Sequence, residues 1–231
     1  MRIVLIGGHG KVALKTLPLL VEAGHEVTAW IRNPGHAPDV EALGARAAVV
    51  SVEEADLAAM TRALAGVDAV VWSAGAGGGD PARTVAVDRD AAIRSMAAAQ
   101  AAGIRRYVMV SYSGAGRVRR VGEDNSFFTY QEAKLAADTH LRGTGLDYTI
   151  LGPGTLTDEP STGLVAPAGS RGDSRVTSRE LVAQTIAAVL ADERSVGLTL
   201  DYGDGVPDGV GLAPAAWLAA VAAGEVPGAE G

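Results

Sequence analysis

Apolar positions follow two rhythms along this chain. Short unbroken runs alternate with longer stretches in which apolar side chains recur every three or four residues. Residues 2–6 form the first run, as expected of a strand buried on both faces of a parallel sheet. A glycine cluster follows, then helical spacing over 11–23 that stops at Gly24. Residues 26–32 read as a second strand, ended by Asn33-Pro34-Gly35. A short helix at 39–43 leads to a third strand at 45–50. Ser51 then has the character of an N-cap, with Glu53 and Glu54 in the first turn of a helix reaching 65. A fourth strand is predicted at 68–73, a long alanine-rich helix at 84–102, and a fifth strand at 106–111. A helix at 130–143 and a sixth strand at 147–151 complete the regular series.

Strand and helix alternate at spacings that suit βαβ units. This calls for a doubly wound parallel sheet with helices on both faces, a Rossmann-type α/β fold. From 152 to 177 glycine, proline, serine and threonine are frequent and no period is clear. A helix at 178–191, a strand at 197–201, a turn-rich run at 201–209 and a helix at 213–223 follow. The expected organisation is a core over 1–151, a small C-terminal substrate-side lobe over 152–222 packed on it, and a disordered tail at 223–231.

The chain has 231 residues, which suits one domain with a small appendage. Hydrophobic residues make up 48% but aromatics only 4%, so the core is aliphatic and stacking platforms for single-stranded nucleic acid are few. With 27 acidic and 20 basic side chains the net charge is −7, which argues against DNA or an anionic membrane as partner. Any phosphate ligand has to be held locally. There is no cysteine, which removes thiolate catalysis and thiolate metal sites. His9, His25, His36 and His140 form no His-x-x-x-His pair, so no metal site is expected. The apolar stretch at 212–223 is too short to span a bilayer, and the short N-terminal run lacks the pattern of a signal peptide. The expectation is a soluble cytoplasmic protein, monomer or homodimer, with a small-molecule substrate.

The first glycine cluster carries chemistry. Gly7-Gly8-His9-Gly10-Lys11-Val12-Ala13 reads G-x-x-G-x-x-A between a strand and a helix. Gly7 permits the tight turn, Gly10 lets backbone approach a pyrophosphate, and Ala13 allows close helix–strand packing. The helix N-terminus adds free N–H groups and a positive dipole. Gly7, His9, Gly10, Lys11 and Val12 are therefore candidate dinucleotide ligands. A triphosphate-binding P-loop does not fit, because Leu5 and Val12 stand where glycine and a hydroxyl residue are needed. At the end of the second strand, Trp30-Ile31-Arg32-Asn33 lacks the carboxylate that holds a free ribose. Arg32 is suited to a 2′-phosphate, which favours NADP over NAD. The fourth strand ends in Ser73-Ala74-Gly75, small residues against which the nicotinamide half can lie.

Tyr130 and Lys134 are four apart on a predicted helix and share a face. An ammonium beside a phenol lowers its pKa, which would fit Tyr130 for proton transfer in carbonyl reduction or alcohol oxidation. With this pair the chain resembles the atypical short-chain dehydrogenase/reductases, in the NmrA-like and flavin-reductase-like group often labelled NAD(P)-dependent epimerase/dehydratase. The resemblance runs to about residue 205. It rests on the glycine cluster, Val67-Asp68-Ala69-Val70-Val71, Val87-Asp88, Arg106-Tyr107-Val108-Met109-Val110-Ser111, the Tyr130/Lys134 pair and Pro153-Gly154-Thr155-Leu156-Thr157.

The resemblance implies Tyr130 as acid/base, with Lys134 binding the ribose and tuning the phenol. It implies that Pro153, Gly154, Thr155 and Leu156 line the nicotinamide, and that Asp88 stands at the family's fourth catalytic position. Two departures matter. Tyr112 occupies the usual place of a substrate-steadying serine, leaving Ser111 or Ser113 to substitute, and Gly152 replaces a frequent arginine. The expected activity is NADP-dependent hydride transfer to a small carbonyl, quinone or flavin. The alternatives are a non-enzymatic NADP(H) sensor that binds a protein partner, and an epimerase or dehydratase. Three further strings read as ordinary loop sequence: Arg171-Gly172-Asp173, the incomplete calcium-loop spacing at Asp201-Tyr202-Gly203-Asp204-Gly205, and Arg117-Val118-Arg119-Arg120, whose basic residues could also draw an anion.

Overall fold

A computed structural model describes residues 1–77, 80–114, 121–170, 173–205, 211–225 and 229–230. The basic run at 117–120, Arg171-Gly172 and residues 206–209 of the expected turn-rich run lie outside the described residues.

The chain runs β1 (Arg2–Ile6), α1 (Lys11–Glu22), β2 (Glu26–Ile31), α2 (Ala37–Glu41), β3 (Arg46–Val49), α3 (Leu57–Ala63) and β4 (Ala69–Trp72). One continuous helical rod follows, made of α4 (Pro81–Thr84), a π-helical segment Val85–Ala91 and α5 (Ala92–Ala101). Then come β5 (Arg106–Val110), α6 (Phe128–Arg142), β6 (Asp147–Pro153), β7 (Thr155–Thr157), β8 (Val165–Pro167) and β9 (Val176–Ser178). The series ends with α7 (Arg179–Ala191), β10 (Leu198–Asp204), α8 (Pro214–Ala222) and β11 (Ala229–Glu230). No helix among the described residues is long and apolar enough to cross a membrane.

The main sheet runs β3-β2-β1-β4-β5-β6-β10-β11 and is parallel from β3 to β10. Strand order reverses between β1 and β4, the place where doubly wound sheets open a crevice at their carboxyl edge. Alternation along β1 divides the core. Ile3 and Leu5 pack with Leu17, Leu20, Leu181 and Ile186 on one face; Val4 and Ile6 pack with Met60, Trp72, Met96 and Leu141 on the other.

Much of the chain after 152 packs onto the main sheet. β10 continues the sheet beside β6, and α7 packs against α1. Strands β7 and β9 form a separate parallel pair, while β8 runs antiparallel on β10. β10 extends through Asp204, so the first part of the expected turn-rich run is strand; pairing with β8 supplies the ladder that local sequence does not reveal. The tail expected to be disordered places Ala229 and Glu230 antiparallel to β10, because that edge leaves backbone groups to pair.

One helix starts late. The stretch 51–55 is not helical, and α3 begins at Leu57 with Asp56 as N-cap, its carboxylate accepting from the Ala59 N–H at 2.7 Å. The later carboxylate wins the cap and frees Glu53 for another use.

Candidate functional site

The β1–α1 turn builds the floor of the crevice. Gly7 has φ +85°, and a Cβ there would lie 2.7 Å from the Ala74 backbone, so the turn and the close approach of the β4 loop both demand glycine. A Cβ on Gly8 would lie 2.5 Å from the Ala29 Cβ of β2. Gly10 is the N-cap of α1, and no side chain caps the helix. Its missing Cβ would meet only the Gly7 carbonyl oxygen at 3.1 Å and the Ser73 oxygen at 3.9 Å, so the space beside it is open to a ligand. The cradle fits a pyrophosphate.

Beyond it lies a cavity of about 370 Å³ walled by Gly7, His9, Arg32, His36, Glu53 and Arg83. Arg32 lies here, as its sequence position predicted, but it is already engaged: its Nη1 is 3.1 Å from Glu53 Oε1. Glu53 also receives Arg83 Nη2 at 3.0 Å, and Arg83 Nη1 donates to the Ala76 carbonyl at 2.6 Å. The arginines, Arg83 foremost, hold the Glu53 carboxyl below its ordinary pKa. His9 stacks on His36 at 3.7 Å and lies 2.7 Å from Asp39 through Nε2.

A second cavity, of about 810 Å³, continues past Gly10, Lys11, Val12, Ser73, Ala74 and Gly75. At its far end the structure brings Asp88, Ser111, Tyr130, Lys134 and Leu156 together. Lys11 sits at the mouth in an exposed 2.6 Å ion pair with Asp158, which Arg179 also contacts at 2.8 Å. Asp88 lies in the π-helical segment, a distortion frequent at functional sites. It is buried and accepts the Ala76 N–H at 3.0 Å, anchoring the β4 loop. Burial raises its pKa against the pull of Lys134.

Lys134 is buried too and donates to the Val110 carbonyl at 2.9 Å. This corrects the expectation that it lowers the Tyr130 pKa. Burial pushes the phenol up, and the neighbouring Asp88 carboxyl adds to the rise. The spacing correctly puts Tyr130 and Lys134 on one helix, but it carries no information on burial. The ammonium is drawn to a strand carbonyl and to two buried acids instead.

A third cavity, of about 770 Å³, shares Ser111, Phe127, Tyr130 and Leu156 with the second. Ser113, Pro153, Gly154 and Thr155 line this third cavity and not the second. Of the predicted nicotinamide wall, Leu156 alone reaches both. Gly154 is packed tightly, since a Cβ would lie 2.6 Å from the Arg175 carbonyl oxygen. Tyr112, Phe127 and Tyr130 form an aromatic trio with ring centres 5.1 to 5.6 Å apart. Sequence reasoning missed Glu53, Arg83 and Asp138. The signal for Asp138 was available, because it continues the four-residue spacing of Tyr130 and Lys134.

Residues 7–193 match the model of the NAD(P)H-binding family. The chain belongs to that family. It is 37% identical over 221 residues to UPF0659 protein C216.03 of Schizosaccharomyces pombe, covering 87% of this chain and 89% of that one. It is 34% identical over 209 residues to the uncharacterized sugar epimerase YhfK of Bacillus subtilis, covering 89% and 95%. Among solved structures, a Bacillus halodurans protein provisionally named an NAD-dependent epimerase/dehydratase superposes with a TM-score of 0.84 at 32% identity, covering 95% of this chain and 99% of that one.

Proposed function

We propose that this family member is an NADP-dependent reductase of a small carbonyl, quinone or flavin, with Tyr130 as proton donor. One observation carries the reading: the dinucleotide cradle and a separate substrate-sized cavity meet at Tyr130 and Ser111. Gly7, Gly10 and the uncapped start of α1 would hold the pyrophosphate, and Arg32 the 2′-phosphate. Ser73 to Gly75, Lys134 and Leu156 would flank the nicotinamide, which when bound supplies a hydride.

The raised Tyr130 pKa favours one direction. A phenol whose pKa burial has raised stays protonated at neutral pH, so Tyr130 starts in the state that reduction requires, in which the substrate oxygen gains a proton. The third cavity would take the acceptor against the aromatic trio. Asp88 and Lys134 hold the β4 loop and the end of β5 in register around the reacting atoms.

NADPH oxidation with 1,4-naphthoquinone, benzaldehyde and flavin mononucleotide as acceptors tests this. Tyr130→Phe should lower kcat on the order of a hundredfold or more while leaving NADPH affinity within about twofold. An unchanged rate removes Tyr130 from the mechanism. Recovery of the purified protein with a cofactor that does not exchange would favour the epimerase reading instead. Tyr112 in place of serine favours a redox sensor as second reading. Cofactor binding without turnover of any acceptor, together with cofactor-dependent capture of a protein partner, would establish it.

A further inference from the structure

One buried carboxylate behind the site takes no part in the proton transfer above. Asp138 follows Tyr130 and Lys134 along α6 at four-residue spacing, on the same face. It is wholly buried. Ser111 Oγ lies 2.6 Å from its Oδ2, while its Oδ1 is sealed from solvent and has no hydrogen-bond partner among the described residues. A bare buried oxygen is costly on an ionised carboxylate and far less so on a neutral acid.

The titratable groups facing Asp138 among the described residues are Tyr130, Lys134, Arg142 and Asp201, and Lys134 also acts on Asp88. Arg142 donates to Thr199 Oγ1, and Asp201 adds negative charge. Lys134 therefore serves two buried acids. Asp88 has the Ala76 N–H as well, a donor that Asp138 lacks.

We propose that Asp138 holds a proton and through it orients the Ser111 hydroxyl as a hydrogen-bond donor toward the reacting oxygen of the substrate. Ser111 lines both large cavities where they meet, so a hydroxyl hydrogen not held by Asp138 can turn toward them. With the proton on Oδ2, the 2.6 Å contact runs from the acid to Ser111 Oγ, and the serine hydrogen turns to the cavity. With Asp138 ionised, the serine hydrogen turns to the carboxylate and only lone pairs meet the substrate oxygen. Asp138 keeps its proton throughout; the proton transferred to substrate comes from Tyr130. Asp138 is thus a positioning residue, and the donor role left open by Tyr112 falls to Ser111. The substrate-facing half of this inference rests on the reductase reading.

Two measurements test it. The first needs no turnover. Infrared spectra at neutral pH should contain a protonated-carboxyl stretch that is lost in Asp138→Asn and shifted in Ser111→Ala. Absence of that band, or a band that Ser111→Ala leaves unmoved, overturns the proposal. The second uses NADPH with 1,4-naphthoquinone. Ser111→Ala should lower kcat on the order of a hundredfold, the scale of a lost donor to a developing oxyanion. Asp138→Ala should fall to the same level, and the double variant should be no slower than Ser111→Ala. Asp138→Asn, whose amide donates to Ser111 Oγ at every pH, should keep kcat within about threefold and lose the alkaline decline of the parent. All variants should bind NADPH with Kd within about twofold. Asn as slow as Ala, or additive effects in the double variant, overturns the proposal. An intact infrared signature in a parent that binds NADPH but turns over none of the acceptors overturns the reductase reading and the substrate-facing role together, and leaves the protonated pair standing.

Discussion

Glu53 bridges Arg32 and Arg83, with contacts of 3.1 and 3.0 Å, inside the cavity where a 2′-phosphate would bind. A 2′-phosphate bound there, as proposed, would compete with a carboxylate for Arg32. Because the arginines keep Glu53 ionised below the ordinary carboxylate range, this competition persists into mild acid. Glu53→Gln should tighten NADPH binding several-fold and leave NADH nearly unchanged. Arg32→Ala should erase the preference for NADPH. Calorimetric titration with both cofactors reads the outcome; weaker NADPH binding in the Gln variant would mean that Glu53 positions Arg32 rather than opposing the ligand.

The second glycine of the first turn is a packing residue. A Cβ on Gly8 would sit 2.5 Å from the Ala29 Cβ, and the Gly8 N–H donates to the Trp30 carbonyl at 2.8 Å, which holds the two in place. Gly8→Ala should cost about 1–3 kcal/mol through overpacking. Thermal unfolding should show it, and the double change Gly8→Ala with Ala29→Gly should recover part of the loss.

The alternation of apolar runs and helical spacings made the Rossmann-type sheet legible, since each parallel strand buried on both faces is an unbroken run such as Val4 to Ile6. The glycine turn was legible for the same reason: Gly7 and Gly10 sit where β1 passes into α1, and the backbone there demands glycine at Gly7. What escaped depends on contacts between distant segments. Glu53 looked like a first-turn carboxylate until Asp56 took the cap. That Pro153 to Thr155 line the third cavity, with Gly154 packed against Arg175, depends on a contact 21 residues away in sequence. The Tyr130 pKa is set by burial, which a four-residue spacing cannot reveal.

The two buried acids make stability depend on pH in a defined direction. Burial raises the folded-state pKa of Asp138 above its unfolded value. Such a group costs nothing below the ordinary carboxylate pKa of about 4, where both states are protonated. The cost grows as pH rises from there toward the folded pKa, because the unfolded chain sheds its proton first. Asp138→Asn removes the penalty. Its melting temperature should exceed that of the parent at pH 8, and the gap should close near pH 4. A constant gap across that range would mean that the folded-state pKa of Asp138 is not raised above its unfolded value.

Arg106 ties the sheet to the helix that follows the lobe. Its Nη1 donates to the Asp147 carbonyl at 2.9 Å; its Nη2 donates to the Val189 carbonyl at 2.7 Å and to Ser195 Oγ at 3.0 Å. Burial brings the guanidinium down to about 10, so it stays charged at neutral pH while deprived of much of its hydration. Its planar fork reaches three acceptors on β6, α7 and the turn after α7, which no lysine can match. Arg106→Met removes the charge penalty together with three hydrogen bonds from a charged donor, each worth about 1.5–3 kcal/mol, although the Val189 carbonyl keeps the Ser195 hydroxyl as a donor. The expected net loss is about 2–4 kcal/mol, with Arg106→Lys recovering less than half. Chemical denaturation measures both. Amide exchange should rise first in α7 and the end of β6, because Arg106 joins those segments; a uniform rise across the sheet would assign the effect to the core instead.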